Sequence, residues 1–207
     1  MPDHSQYGWY DFTRSFLDLV ELGCKEVKEQ KHKKNIGGIE IKYEKSLNIA
    51  IIYNMKHAIE IFIKTLIRYA EYDSFQNIKE HNLEFLFNLY VEKFERLKKK
   101  PKYSLKNAHP ATQEYVKNFD KNALKLAEVI DYYDQLKFLN KEDISVIDTK
   151  NTAFKYPENY LEINAQIDYY NFLNAKLDAD KIIKDVMIIK DHLNSILCVF
   201  KFFHLGY

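Results

Sequence analysis

The sequence predicts an all-α protein: a helical bundle of about five main helices with a long loop before the last one. Glycine and proline are scarce, 5 and 4 in 207 residues. Few breakers leave few tight turns and favour long helices over many short strands. Apolar residues also recur at steps of three and four over long stretches, the period of an amphipathic helix. With 46% apolar and 29% charged residues, the composition is ordinary for a soluble globular protein, and the length allows one sizeable core. No internal repeat, low-complexity tract or Gly/Ser linker divides the chain, so residues 1–207 read as a single domain.

The first helical segment runs from about Tyr10 to Lys33, with Phe12, Phe16, Leu19, Val20 and Val27 apolar, and Asn35-Ile36-Gly37-Gly38 ends it. The second, about Tyr43 to Tyr72, is apolar almost all round and should be the buried helix. The third begins near His81. Its Leu83, Phe87, Tyr90, Phe94 and Leu97 keep the helical rhythm, and Pro101 stops it. The fourth starts after His109-Pro110 and ends near Asn140, with Val116, Phe119, Ala123, Leu126, Ile130 and Tyr133 on its apolar face. From Lys141 to Ala175 no helical period is sustained. Ile144, Val146 and Ile147 are suited to a short extended piece, and Phe154-Lys155-Tyr156-Pro157 must be loop, because the residue before proline is pushed out of the helical region. The fifth helix spans about Asp178 to Phe203. Ile182, Val186, Ile189, Leu193, Ile196, Phe200 and Phe203 alternate steps of four and three, a seam that packing within the bundle explains more cheaply than a coiled-coil dimer.

The second segment carries one polar stripe: Tyr53, His57, Glu60, Lys64 and Arg68 recur three or four residues apart and share a face. Charged groups on a buried helix are costly unless paired, so the stripe needs partners or a job.

Three motifs in this region and beyond resemble the HEPN superfamily, all-α domains named for prokaryotic and higher-eukaryotic nucleotide binding. Members carry a "HAIELLLKALL"-like helix core, then a "GH-D/N-L" helix start, and many have "FRYP" before the last helix. Here these read His57-Ala58-Ile59-Glu60-Ile61-Phe62-Ile63-Lys64-Thr65-Leu66-Ile67, then Glu80-His81-Asn82-Leu83, then Phe154-Lys155-Tyr156-Pro157. They fall in family order and span about half of the chain. The resemblance implies a HEPN-like bundle whose long second helix packs on the start of the third.

Catalytic members of that family are recognised by an Arg followed, after four to six residues, by a His late in the domain. The three arginines here, Arg14, Arg68 and Arg96, precede no His at that spacing, and the fifth helix has His192 and His204 but no Arg. Lys25 and His32 have six residues between them but lie on the first segment, and a lysine lacks the planar fork that holds a phosphate. The family's "FRYP" arginine is Lys155. The departure falls on the residues that define the activity.

Other chemistries find less. Gly37-Gly38 is not followed by Lys-Ser/Thr, so there is no phosphate loop, and no Gly-x-Ser-x-Gly elbow exists. His57-x-x-Glu60 is a lone ligand-like pair without the second copy and extra carboxylates of a di-iron bundle. No metal or cofactor is expected. Cys24 and Cys198 read as free thiols in a reducing compartment. The net charge of +1 makes no global case for nucleic acid. The local run Arg96, Lys98, Lys99, Lys100, Lys102 suits a helix C-terminus. Without a signal peptide or a bilayer-length apolar run, a cytoplasmic protein is expected.

The candidate ligand-binding residues are His57, Glu60, Lys64, Arg68, His81, Asn82 and Lys155. In one reading they form a paired structural seam, with His81 or Asn82 capping the third helix. In the other, Lys64, Arg68 and Lys155 line a small anionic pocket for a nucleotide or an RNA phosphate. By resemblance, the expected role is a catalytically inactive binding or scaffolding protein of a bacterial defence or toxin–antitoxin system, with a partner protein, nucleotide or RNA as ligand. The alternative is a metal-independent RNA endonuclease with a non-standard active site; a third class is a purely structural dimerisation module. A homodimer is expected, built on Phe200, Phe202, Phe203 and Tyr207 as an apolar patch.

Overall fold

A computed structural model describes residues 4–29, 33–36, 39–42, 44–71, 78–99, 104–134, 137–139, 145–147 and 177–206. It is an all-α bundle of six helices among the described residues: α1 His4–Lys28, α2 Glu44–Ala70, α3 Leu83–Lys99, α4 Pro110–Lys117, α5 Phe119–Asp134 and α6 Ala179–Leu205. A 3₁₀ turn, Leu105–Asn107, precedes α4. The described residues also include two antiparallel strand pairs: β1 Lys33–Ile36 with β2 Ile39–Lys42, and β3 Lys137–Leu139 with β4 Ser145–Ile147.

The second helix is central because its sequence leaves no polar face wide enough for solvent. It packs against α1, α3, α5 and α6, and Met55, Ala58, Ile59, Phe62, Ile63 and Leu66 are all fully buried. Gly23 sets how closely α1 can approach: a Cβ there would lie 2.7 Å from Ile51 Cγ1. The last helix closes the other side against α1, α2, α4 and α5. All seven residues of its four-three seam are buried inside this bundle, as expected for an intramolecular role. One contiguous core draws on all six helices.

Four boundaries differ from the sequence reading, the first being the start of α1 at His4 and not at about Tyr10. α1 ends at Lys28, and the stretch before the double glycine forms β1 instead of a helix tail. Ile36 pairs with Ile39, with Gly37-Gly38 between them in sequence, a dipeptide that tight hairpins favour. The fourth segment is two helices. Asn118 leaves helical geometry at φ −99°, ψ 14°, its N–H reaching both Glu114 O and Val116 O. The apolar period runs straight through this step, so periodicity could not mark it. The helix also stops at Asp134, and Lys137–Leu139 pairs with Ser145–Ile147, the stretch expected to be extended. The motif around Lys155 lies outside the described residues.

The caps explain the remaining termini. His109 precedes α4 with Pro110 at the first helical position and accepts the Ala111 N–H at 3.3 Å. Asp178 accepts the Lys181 N–H at the start of α6, and Gly206 ends that helix at φ 84°. His204 donates from Nε2 to the carbonyl of Tyr69 at 2.7 Å, satisfying an acceptor in the last turn of α2.

Candidate functional site

The middle of the α2 stripe, Glu60 and Lys64, is a paired seam. Glu60, 3% exposed, sits one turn before Lys64, 7% exposed, with Lys64 Nζ 3.0 Å from Glu60 Oε1. The same oxygen meets His81 Nδ1 at 2.9 Å. His81 comes from the segment entering α3, so the contact fastens the start of α3 to the middle of α2. Each group explains the others: a buried carboxylate needs donors, and a buried ammonium needs a counter-charge.

The residues beside His81 organise the helix start. Asn82 Oδ1 accepts the Phe85 N–H at 2.7 Å, so Asn82 is the N-cap of α3. Glu80 accepts the backbone N–H groups of both His81 and Asn82 at 2.8 Å, which holds its carboxyl below the usual range. From the far side, Asp134 at the end of α5 accepts the Leu83 N–H. Burial raises its carboxyl, and the charge of Lys56 and the Leu83 N–H oppose that rise.

The other stripe residues face elsewhere. His57 packs in an aromatic row, edge-on to Phe16 at 4.7 Å and stacked on Tyr53 at 5.9 Å. Arg68 lays its guanidinium on Trp9, with Cζ 3.9 Å from the ring centroid, a cation–π contact. Burial lowers the Arg68 pKa. The structure therefore joins Glu60, Lys64 and His81, sets Asn82 beside them as a cap, and turns His57 and Arg68 towards α1. Lys155 lies outside the described residues.

The sequence reading missed a second polar cluster. His192 on α6 is 6% exposed and sits between two buried tyrosines. Tyr115 Oη lies 2.8 Å from Nε2 and 3.0 Å from Nδ1, and Tyr90 Oη lies 3.2 Å from Nε2. Burial pushes the imidazole down to about 3 and raises both phenols. Tyr115 and His192 line a cavity of about 250 Å³ together with Asn122, Lys125, Asp191 and Ser195. Beside it, sharing Lys125 and Ile188, lies a hollow of about 660 Å³ that includes Glu128, Asp131, Tyr132 and Asp185. The available signal was position: His192 lies three residues after Ile189 and four before Ile196, inside the apolar face of α6. Tyr90 and Tyr115 were hidden in the same way, as ordinary apolar-face residues of α3 and α4.

The chemistry open to these groups is limited. An imidazole with a pKa near 3 is neutral at physiological pH and a weak general base. None of the three arginines supplies a phosphate-holding fork beside it. Arg14 donates to Tyr10, Arg68 covers Trp9, and Arg96 pairs with Glu92. Several lysines are ion-paired locally: Lys25 with Glu21, Lys28 with Asp180, Lys93 with Glu71, Lys98 with Glu95, and Lys190 with both Asp18 and Glu21. Lys190 and Lys25 together hold the Glu21 carboxyl down to about 2. Among the described residues, no group of three or more His, Cys, Asp or Glu side chains is placed to hold a metal ion.

No family model, curated protein or solved structure matches the chain. Among the described residues, no helix is long and apolar enough to cross a membrane. The aromatic patch expected at the end of the last helix is not a surface. Phe200, Phe202 and Phe203 are 1%, 3% and 1% exposed. They face inward because Phe94, Phe119 and Tyr69 converge there, with Phe94 stacked on Phe119 at 4.0 Å and Tyr69 on Phe200 at 5.9 Å. Tyr207 lies outside the described residues.

Proposed function

We propose that this chain is a HEPN-like binding or scaffolding protein of a bacterial defence or toxin–antitoxin system, acting through a protein partner and not as a ribonuclease. One observation carries the reading: the cations of the α2 stripe are already engaged inside the fold. Lys64 is spent on Glu60 and Arg68 on Trp9. The late-domain histidine is neutral, enclosed by two tyrosines and without an arginine beside it. The hollow next to it mixes Glu128, Asp131 and Asp185 with Lys125 and Lys181, and Lys181 is paired with Asp185, so no concentration of positive charge faces a polyanion there. The nucleotide or RNA arm of the reading rests on Lys155 and on residues outside those described.

The endonuclease alternative retains one supporting observation: His192 and Tyr115 line a cavity together with Lys125 and Ser195. A cleavage assay separates the two. The purified chain, with chelator and labelled single-stranded RNA, is expected to leave the RNA intact. It should also bind that RNA no more tightly than the weak end of non-specific association, Kd of about 10⁻⁴ M. Cleavage that disappears in His192→Ala or His57→Ala but survives in Glu114→Ala would overturn the proposal and install the endonuclease.

A further inference from the structure

The cavity of about 250 Å³ beside His192 and the hollow of about 660 Å³ share Lys125 and Ile188, so they form one groove between α5 and α6. Within the smaller cavity, α5 supplies Asn122 and Lys125 and α6 supplies Asp191 and Ser195. Steps of three and four put each pair on one face of its helix. Each helix thus presents one charge and one neutral hydrogen-bonding group, and the two charges are opposite. Among the described residues, none of these four side chains makes an ion pair or hydrogen bond within the chain. Lys190, one residue before Asp191, is by contrast held by Asp18 and Glu21. The cavity wall also keeps a hydrogen bond unfilled. Tyr115 Oη lies 2.8 Å from His192 Nε2 and 3.0 Å from Nδ1. The in-plane directions of those nitrogens diverge, so one hydroxyl cannot lie in line with both. Nε2 also meets Tyr90 Oη at 3.2 Å, whereas Nδ1 has no other partner among the described residues. His192 is buried, and a buried polar atom ordinarily has its bond made.

We propose that this groove binds a free basic α-amino acid of the lysine or arginine type. The zwitterionic head matches the smaller cavity: its carboxylate meets Lys125, its ammonium meets Asp191, and Asn122 and Ser195 take the remaining bonds. A simple anion or a simple cation would leave one of the two opposed charges unanswered. The cavity is also smaller than the pockets of about 300–1,000 Å³ that enclose drug-sized ligands, so it suits a small head group. The side chain then passes Ile188 into the hollow, where Val129 and Tyr132 offer apolar surface to its stem. Glu128 and Asp131, which have no ion pair among the described residues, await its cation there. They lie one and two turns along α5 from Lys125, about 5–9 Å, the span from the head of such an amino acid to its charged end. Lys181 already shows that this surface accepts an ammonium: its Nζ lies 3.6 Å from the Tyr132 ring centroid and 2.6 Å from Asp185 Oδ2. The site stands independently of the proposed function, since no part of it serves the protein-partner reading.

Isothermal titration calorimetry of the full chain with L-lysine and with L-arginine should show saturable one-to-one binding at sub-millimolar Kd for at least one of them. Agmatine, which lacks the carboxylate, and Nα-acetyl-L-lysine, which lacks the α-ammonium, should each bind about tenfold more weakly, one charged contact being lost. Lys125→Gln and Asp191→Asn should bring a loss of the same size while the helical circular dichroism stays that of the parent. Glu128→Gln combined with Asp131→Asn should erase the preference for L-lysine over L-norleucine. Glu114→Gln, away from the groove, should bind as the parent does. The absence of saturable binding for both amino acids, agmatine binding as tightly as L-arginine, or an Asp191→Asn protein with undiminished affinity would each overturn the proposal.

Discussion

Replacing Glu60 by alanine tests the seam directly. The substitution leaves Lys64, 7% exposed, with its ammonium buried and its counter-charge gone, and it removes the acceptor of His81. His81 is 43% exposed at its side chain, so water replaces much of what it loses. Lys64, much less exposed, has less recourse, although the Glu80 carboxylate still acts on it. Breaking one side of a buried pair costs about 3–5 kcal/mol, and the lower end applies because a lysine stem can carry its charge partway to solvent. At roughly 2–4 °C per kcal/mol for a chain of this size, the melting temperature should fall by about 6–12 °C. Thermal and urea denaturation followed at 222 nm reads this. Two companions separate charge from packing. Glu60→Gln keeps the shape and an acceptor oxygen and should lose less than alanine does. The double change Glu60→Leu with Lys64→Met replaces the pair by apolar groups of similar volume and should recover to within about 1 kcal/mol of the parent. A Glu60→Ala protein as stable as the parent would refute the seam. So would a double variant no better than the single one, because the cost would then not come from an orphaned Lys64.

Three further outcomes are expected. His192 is held near pKa 3 in the fold against the usual 6.5, so its contribution is complete above pH 6.5 and is lost as pH falls towards 3, where the unfolded chain takes the proton first. By pH 4.5 the loss is about 3 kcal/mol, and urea titrations at pH 7 and 4.5 should show a smaller pH effect in His192→Gln; equal acid sensitivity would contradict the burial argument. Asn82→Ala removes the cap on α3 and should cost about 1 kcal/mol, with Asn82→Asp close to the parent; an alanine variant melting with the parent would mean the Phe85 N–H finds water at no cost. Trp9 is the only tryptophan, so Arg68→Ala, which uncovers its ring, should shift its emission to the red and cost about 1 kcal/mol; an unmoved emission maximum would show that the guanidinium does not shield the ring.

The α3 entry shows how motif and structure relate here. The Glu80-His81-Asn82-Leu83 run has one residue for each local need: a carboxylate over two free N–H groups, an imidazole for Glu60 and a side-chain oxygen for the first turn. The pattern that drew attention as a ligand motif is accounted for by helix capping and a buried carboxylate.

Much of the fold was legible in the chain because helix periodicity is a local property. The scarcity of glycine and proline, the all-round apolar α2 and the four-three seam of α6 announce long helices and say which face is buried. The α2 stripe showed that Glu60 and Lys64, four apart, share a face, and left open whether they form a seam or line a pocket. Two outcomes were not local. Whether a polar or aromatic residue on an apolar face meets another depends on which helices become neighbours. That is why Tyr90, Tyr115 and His192, from α3, α4 and α6, read as core positions and emerged as a hydrogen-bonded cluster only when the bundle closed. Tertiary packing also decided the two ends of the surface question. The phenylalanines of α6 look exposed at a helix end until Phe94, Phe119 and Tyr69 close over them. Phe12, Leu19 and Leu22 look like core residues in sequence until α1 turns Leu17, Val20 and Cys24 inward, because a helix on the outside of the bundle buries only the face turned towards its neighbours.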